Sequence, residues 1–297
     1  MSSYYFIFTS YLLFSLTKIN GQESLSSILL GPLDISYEPT KLVNAQSQAL
    51  LPTGYFEIVL DSRSNIERDE PQFRLDAKYG ISKYLTLGIS STNHLGTYDI
   101  SAKTNILPLI SDSNKQSFKL IYYMNLGLHT EIDIKFDKKD QLSFFHQLII
   151  DPQLSSKFSI HLLPTYIHKN IADTSEVNTE IDEEGRFTEI NPNFGHPWDM
   201  MFLGIGGSWN FNKSIKFIGE YFPLINERDG STENVGGWAL GIGYYTPFII
   251  MQLQLSNILH LSERSLIDDV GIGLPNGNLY LGMKLSRSFN LKTKYDN

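Results

Sequence analysis

Along most of the chain, apolar and polar residues alternate with a period of two. Between residues 73 and 79, apolar Phe, Leu, Ala and Tyr interleave with Arg, Asp and Lys. The same alternation occurs over residues 85–90, 98–103 and 249–256. Successive side chains of a β-strand point to opposite faces, so each stretch has one apolar face and one polar face. No stretch with helical periodicity competes with these, and the pattern predicts an all-β chain.

The alternating stretches predict twelve strands, and three of the turns between them share one short sequence motif. Its three copies are YGISKYLTLGIS, DPQLSSKFSIHLLP and WNFNKSIKFIGEY, and each places a small polar residue beside a lysine at a tight turn. The predicted strands span residues 55–63, 72–80, 84–91, 97–106, 117–129, 141–150, 157–168, 200–209, 214–223, 237–246, 248–257 and 278–289.

The lengths of the connections follow a rule along the chain. Short turns follow the even-numbered strands, whereas longer loops follow most odd-numbered ones, including residues 169–199 and 258–277. Residues 107–116 are the exception, because they are long where a short turn is expected. Short turns on one side and long loops on the other are typical of outer-membrane barrels. We therefore predict an antiparallel transmembrane β-barrel of about 12 strands in the outer membrane, with both termini in the periplasm.

The last predicted strand, LYLGMKLSRSF, ends on Phe289. It resembles the aromatic-ended C-terminal strand that the outer-membrane assembly machinery reads, although Arg287 interrupts its apolar face. The alternative is a soluble periplasmic β-sandwich or lipid-binding protein, in which the aromatic rings form an ordinary core. In a membrane barrel, rings near strand ends lie instead at the two membrane interfaces. Such rings are Tyr79, Tyr84, Tyr98, Trp209, Trp238, Tyr244 and Tyr245.

Composition supports an aromatic-rich β-protein and excludes several kinds of site. The chain has 16 Tyr and 18 Phe, which favour strands, and only 19% of its residues are charged. It has no cysteine, which excludes disulfides and thiolate metal or redox sites. Its formal net charge of −8 argues against a nucleic-acid partner.

The N-terminal residues predict export across a membrane. Residues 1–22 contain an apolar and aromatic run that is too short for a membrane-spanning helix, which is typical of a signal peptide. A buried N-terminal helix is the alternative. Residues 23–50 do not alternate and are predicted to form a periplasmic arm or a plug. Residues 51–290 are predicted to form the barrel, and residues 291–297 a polar tail.

Several stretches of the chain resemble a known family. They are KLVNAQSQALLPTGYFEIVLDSR, FRLDAKYGISKYLTLGIS, LSSKFSIHLLPTYIHKN and FLGIGGSWNFNKSIKFIGEY. Together they are similar to small outer-membrane barrels of Bacteroidota, a family catalogued only as a domain of unknown function. The resemblance extends from about Lys41 to Phe289 and implies a barrel in the cell envelope. It implies no catalytic residue and no particular substrate.

The polar residues that alternate with apolar ones along each predicted strand are expected to line the lumen. A barrel of twelve strands is wider than the eight-stranded barrels that side chains fill, and narrower than the porins that leave an aqueous channel. Opposite charges inside it either pair and block the lumen or line a weakly selective path, because buried charges require partners. The predicted lumen-lining residues are Arg74, Asp76, Lys78, Asp99, Lys103, Lys216, Glu220, Gln252, Gln254 and Lys284.

Other polar groups offer weaker candidates for chemistry. Ser159 and His161 share one face of the seventh predicted strand, and His146 lies in the neighbouring strand. A Ser–His pair with a third polar group suits acyl transfer, but no nucleophile elbow accompanies it, and lumen-lining polar residues are the simpler interpretation. The loop of residues 169–199 is acidic but lacks the spacing of a calcium site, so a solvated loop is expected. No cofactor and no metal site are predicted.

These observations predict a barrel without catalysis. It is either a narrow conduit for small polar solutes or a structural subunit of an envelope complex. A lipid-acting barrel enzyme that uses Ser159, His161 or His146 is the alternative within the membrane class. The expected partners are outer-membrane lipid, the barrel-assembly machinery during biogenesis and an envelope protein complex.

Overall fold

The structure is a computed structural model. It describes residues 38–65, 71–93, 96–107, 118–130, 139, 141–152, 155, 157–170, 179–181, 187–189, 198–225, 236–246, 249–259, 261–264 and 279–291. The predicted signal peptide and residues 292–297 of the predicted tail lie outside these residues. So do residues 23–37 and most of the acidic loop.

Twelve antiparallel strands form a closed barrel, and two short strands form a separate hairpin between β7 and β10. The barrel closes because β1 pairs with β2 on one side and with β14 on the other, where Tyr55 opposes Asn290 and Asn65 opposes Tyr280. The strands are β1 (Tyr55–Asn65), β2 (Gln72–Ser82), β3 (Leu85–Thr92), β4 (Thr97–Asn105), β5 (Lys119–His129), β6 (Leu142–Asp151), β7 (Phe158–Lys169), β8 (Thr179–Ile181), β9 (Phe187–Glu189), β10 (Trp198–Asn210), β11 (Ile215–Phe222), β12 (Gly237–Tyr245), β13 (Ile250–Ser256) and β14 (Tyr280–Asn290).

The twelve barrel strands confirm the fold class, and each boundary lies within two residues of its predicted position. Closure of the sheet excludes the two-layer sandwich that alternation alone left open. The β8–β9 hairpin was not predicted, because strands of three residues are too short for an alternating pattern to be recognised. Among the described residues, no helix is long and apolar enough to cross a membrane.

The two ends of the barrel differ in their connections. We call the end where β1 begins and β14 ends the near rim, and the opposite end the far rim. The strand ends joined by residues 83–84, 152–157, 211–214 and 246–249 lie at the near rim, as do the strand ends joined by the longer connection of residues 106–118. The three copies of the repeated sequence motif therefore all contain near-rim turns. Most far-rim connections are longer, as in residues 257–279.

The outer face of the barrel carries an apolar belt. Ile89, Ile100 and Leu253 expose 63%, 65% and 64% of their surface, and these residues lie within strands rather than in loops. Such outward-facing rows are typical of barrels that contact the hydrocarbon of an outer membrane. Trp209 and Tyr244 are also exposed near the near rim. The outward position predicted for Tyr245 is wrong, because its ring lies 5.2 Å from the ammonium of the inward-facing Lys216.

The inner face of the barrel divides into a polar half and a mixed half. Strands β1–β4, β13 and β14 place mainly polar side chains in the lumen, as their alternation predicts. Strands β5, β6, β7, β10 and β11 place apolar side chains there together with polar ones such as Asn125, Gln147 and His161. The apolar residues of this mixed half were not predicted from the sequence. They are Ile121, Tyr123, Phe145, Ile149, Leu163, Ile167, Met200, Phe202, Ile218 and Phe222.

Replacement of Leu253 by Arg tests whether the exposed belt contacts lipid. Leu253 lies in the middle of β13, and we expect Leu253→Arg to lower the free energy of unfolding in lipid vesicles by about 2–4 kcal/mol. Leu291→Arg at the near rim is the matched control, because an interfacial arginine costs only about 0–1 kcal/mol. Urea unfolding followed by tryptophan fluorescence measures both. Equal costs at the two positions would contradict the assignment.

Candidate functional site

Two segments of the chain enter the barrel and fill its lumen. The first is residues 38–51, which precede β1 and enter from the near rim; we call it the N-terminal lumenal segment. The second is residues 258–259 and 261–264, which follow β13 at the far rim; we call it the inner loop. The buried side chains of both segments contact inward-facing residues of the wall. The candidate site is therefore the occupied lumen.

The N-terminal lumenal segment makes a tight turn inside the barrel. Lys41 and Gln46 form an antiparallel bridge, and the amide of Leu42 donates a hydrogen bond of 2.8 Å to the carbonyl of Ala45. The side chains of Leu42, Val43 and Ala45 are buried in one cluster with the apolar residues of the wall. Apolar packing therefore helps to orient the turn inside the barrel.

Two wall glycines make room for this turn. A Cβ placed on Gly206 of β10 would lie 2.8 Å from Cδ1 of Leu42. A Cβ on Gly241 of β12 would lie 3.1 Å from Cγ2 of Val43. These glycines belong to the stretches LGIGGSW and GGWALGIG, so one role of that glycine content is the close approach of the lumenal segment.

Side chains of the wall satisfy the backbone of the turn. The carboxylate of Glu220 accepts hydrogen bonds from the amides of Val43, Asn44 and Ala45, at 3.3, 2.6 and 3.0 Å. Successive amides that point at one anion form a binding concavity. On the other side, the ammonium of Lys284 donates to the carbonyls of Leu42 and Val43, at 3.0 and 2.7 Å. An irregular segment is tolerated inside the barrel because its buried polar groups find these partners.

Glu263 joins the inner loop to both the N-terminal lumenal segment and the wall. Its carboxylate lies 3.1 Å from the ammonium of Lys41 and 2.8 Å from the guanidinium of Arg74. It also accepts a hydrogen bond of 3.1 Å from the hydroxyl of Tyr123. Burial acts to raise the pKa of Glu263, but the charges of Arg74 and Lys41 outweigh it and hold that pKa below its usual value. Glu263 is therefore ionised where the two segments meet.

The remaining charges of the polar half are also paired. Arg74 forms ion pairs with Asp76 and Asp99, at 2.8 and 2.7 Å. Lys78 lies 3.5 Å from Glu57 and donates to the hydroxyl of Thr40 at 2.6 Å. These contacts continue from the wall into the N-terminal lumenal segment.

Two further lysines of the polar half are engaged in the same way. The ammonium of Lys103 donates to the carbonyl of Thr40 at 2.7 Å. The ammonium of Lys284 lies 3.4 Å from the carboxylate of Asp61. Each of these lysines thus has a partner inside the barrel.

The structure places nine of the ten predicted lumen-lining residues as buried, inward-facing side chains of the wall. Lys216, the tenth, is partly exposed near the near rim, 3.6 Å from Glu38. The nine residues are Arg74, Asp76, Lys78, Asp99, Lys103, Glu220, Gln252, Gln254 and Lys284.

Sequence reasoning missed other buried charges of the lumen. Glu57, Asp61 and Arg63 face inward from β1, and their separations of four and two residues place them on one face of a strand, which could have indicated them. Arg63 donates to the carbonyl of Ile258 in the inner loop at 2.6 Å. Glu263 had no signal, because it lies in a long connection without alternation.

The Ser–His candidate does not assemble as predicted. Ser159 and His161 both face inward, but the hydroxyl of Ser159 lies 2.9 Å from the hydroxyl of Ser208. His161 is buried, with its Nδ1 3.9 Å from the carboxylate of Asp151. The proposed participation of His146 is wrong, because its ring stacks against those of Tyr122 and Tyr166 on the outer face. Across the part of the chain that the structure describes, no group of three or more His, Asp or Glu side chains could hold a metal ion.

A cavity remains at the near rim beside the N-terminal lumenal segment. Its volume is about 680 Å³, and we call it the mouth cavity. Glu38 and residues 48–50 form one side, and the near-rim ends of β4, β5, β6, β7 and β10 form the other. The lumen therefore has an occupied middle and an accessible mouth.

Removal of the carboxylate at position 263 tests the contact between the two segments. We expect Glu263→Gln to lower the free energy of unfolding by about 3–5 kcal/mol, because it leaves the buried Lys41 without its carboxylate partner. Denaturant unfolding in detergent, followed by tryptophan fluorescence, measures the change.

Lys41→Met is the partner variant for a double-mutant cycle. We expect the double variant Lys41→Met, Glu263→Gln to lose less stability than the two single variants added together, because both buried charges leave at once. Additive losses would show that the two residues are not coupled.

Solved structures of outer-membrane proteins align with most of the chain. The NanC porin aligns at 11% sequence identity with a TM-score of 0.48, over 79% of this chain and 98% of the porin. An outer membrane channel from Pseudomonas putida F1 aligns at 13% identity with a TM-score of 0.46, over 82% of this chain and 98% of the channel. No curated protein matches the chain significantly. The family described as a membrane bound beta barrel domain (DUF5777) matches residues 37–289, and the chain belongs to this family of membrane barrels.

Proposed function

We propose that the protein is an outer-membrane conduit for small polar solutes that the N-terminal lumenal segment and the inner loop hold closed. The observation that carries this proposal is the occupation of the lumen by two noncovalently held segments that meet at Glu263. No catalytic group is required. The near rim, where β1 begins and β14 ends, faces the periplasm in this proposal.

The attachment of the N-terminal lumenal segment supports a closure that can be released. Its backbone is held by hydrogen bonds to Glu220, Lys284 and Gln252, and water can replace each of these contacts. The segment enters the barrel from the near rim and continues directly into β1 at the same rim. It can therefore withdraw towards the near rim without breaking the ladder of the barrel. The inner loop is joined to strands at both ends and forms the fixed part of the closure.

The wall that withdrawal would uncover suits a polar solute. It presents the amides of Gln252 and Gln254 and, on nearly opposite sides of the barrel, the charges of Lys103 and Glu220. Apolar side chains of β5, β6, β7 and β10 lie between these two charges. A solute would thus meet polar groups of both signs around its path, which favours small polar molecules over large apolar ones.

A closed structural subunit of an envelope complex is the second candidate. The pairing of Arg74 with Asp76, Asp99 and Glu263 favours it, because a fully paired interior is stable without any opening. In both candidates the exposed belt contacts outer-membrane lipid, and the barrel-assembly machinery inserts the chain. The two candidates differ in whether the N-terminal lumenal segment ever leaves the lumen.

A reversible lock on the N-terminal lumenal segment tests the conduit. The chain has no cysteine, and Val43 lies against Gly241, so Val43→Cys with Gly241→Cys places two thiols within reach of a disulfide. In planar bilayers we expect discrete conductance steps from the reduced double variant and from the wild type. Oxidation should abolish the steps in the double variant only, because it ties the segment to the wall.

The single variants Val43→Cys and Gly241→Cys are the matched controls, and oxidation should leave both unchanged. Glu220→Ala removes the acceptor of three backbone amides and should increase the open fraction. Steps that persist after complete oxidation would refute closure by this segment. Absence of steps from every variant, over a range of voltage and salt, would refute the conduit and leave the structural subunit.

A further inference from the structure

The mouth cavity has the size of a small-molecule site. Its volume of about 680 Å³ falls within the usual range for ligand pockets, about 300–1,000 Å³. It lies between the N-terminal lumenal segment and the near-rim ends of five strands, which are rigid elements joined by the barrel ladder. The cavity is thus a preformed concave space on the path into the lumen.

Two carboxylates and two lysines line this cavity. Glu38 accepts a hydrogen bond of 2.7 Å from Gln48 and lies 3.6 Å from Lys216, outside the cavity. Asp151 is buried opposite Lys119 in the β5–β6 ladder, with its carboxylate 3.9 Å from the ring of His161.

The two lysines of the cavity differ from the carboxylates. Among the described residues, no carboxylate lies within ion-pair distance of Lys119, although it is only partly exposed. Lys83 contacts only the ring of Tyr84, at 4.7 Å from the ring centre, within the same part of the chain. Within the described part of the chain, the cavity thus offers two ammonium groups that form no direct ion pair. An anionic group is the partner that they lack.

Neutral polar groups surround these lysines. Asn105 and Asn210 contribute amides, and Ser155, Ser159 and Ser208 contribute hydroxyls. Such groups donate and accept hydrogen bonds with the hydroxyls of a polar solute. Behind Ser159 on the same strand, both ring nitrogens of the fully buried His161 lack a hydrogen-bond partner. The cavity therefore combines unpaired positive charge with further unused hydrogen-bonding capacity beside it.

We propose that the mouth cavity binds a small polyhydroxylated carboxylate. Lys119 and Lys83 pair with the carboxylate, and the amides and hydroxyls bind the hydroxyl groups. This inference rests on the proposed function in one respect, because it makes the cavity the near-rim binding site of the conduit. The net charge of the whole chain is −8, so attraction of an anion has to come from these local lysines rather than from the overall field.

Three probes with one carbon skeleton test the chemistry of the site. They are sodium gluconate, which is anionic, glucitol, which is neutral, and glucamine, which is cationic. We expect isothermal titration of the purified full-length protein in detergent to detect gluconate binding, with affinities for glucitol and glucamine at least about tenfold lower. Absence of gluconate binding up to tens of millimolar, or equal binding of glucitol, would overturn the proposal.

Two lysine variants test the assignment of the residues. Lys119→Gln should weaken gluconate binding by about tenfold or more, because it removes the unpaired charge. Lys213→Gln is the matched control, since Lys213 lies exposed in a turn of the same rim and outside the cavity. Lys119→Arg should retain binding. Heat-dependent mobility on a mild-detergent gel verifies that each variant is folded. If Lys119→Gln does not fold, Lys83→Gln takes its place, and an unchanged preference for gluconate over glucitol would overturn the proposal.

This test and the conductance test can fail separately. Gluconate binding without conductance in any variant would refute the conduit but retain the site. Conductance without gluconate binding would refute the site but retain the conduit.

Discussion

A charge inside the barrel has to find a partner, because the interior offers too little water to solvate it. This constraint explains the arrangement of the lumen. The ladder of twelve strands carries Arg74, Lys78 and Lys284 inward from the wall, whatever else the lumen contains. Their partners include Asp76 on the same strand as Arg74, and Glu57 and Asp61 on the neighbouring strand β1. Further hydrogen bonds and ion pairs of these three residues are made with the backbone and side chains of the two segments within the lumen.

The same constraint determines how an irregular segment can lie inside a barrel. A turn without regular structure brings buried amides and carbonyls that no neighbouring strand can satisfy. Glu220 and Lys284 supply the missing partners, one anion for the amides and one cation for the carbonyls. Leu42 of the turn packs beside Gly206, which pairs with Glu220 across the β10–β11 ladder. Polar pairing and apolar packing therefore act on the same part of the wall and favour one orientation of the segment.

This division of the lumen bears on function. If the interior were filled only by long side chains from the wall, opening a path would require rearrangement of the strands. Here the middle of the lumen is filled by the N-terminal lumenal segment and the inner loop. The hydrogen bonds that close the barrel run between the twelve strands and do not include these two segments. The near rim also retains a cavity whose lysines have no ion-pair partner among the described residues. Closure in the middle and accessibility at the mouth together favour a conduit whose entrance already selects its solutes.

The sequence by itself determined the number of barrel strands, their bounds to within two residues and their sequential order, because alternation with a period of two is a local property of each strand. It also indicated Arg74, Asp99, Gln252 and Lys284 as inward residues, since inward positions follow from the same alternation. It did not reveal the apolar residues of the lumen. On strands such as β5 and β7 they share the inner face with polar residues while the outer face is also apolar, so local alternation does not assign them to lipid or lumen.

Only the tertiary structure decided what fills the barrel. Glu263 and Lys41 lie more than 200 residues apart, and nothing near either one in the sequence points to the other. The role of Gly206 and Gly241 is hidden for the same reason, because the side chains that need their space belong to a distant segment. Contacts of this kind depend on the closed shape of the sheet. They arise when β1 meets β14 and encloses residues 38–51, an event that no local pattern encodes.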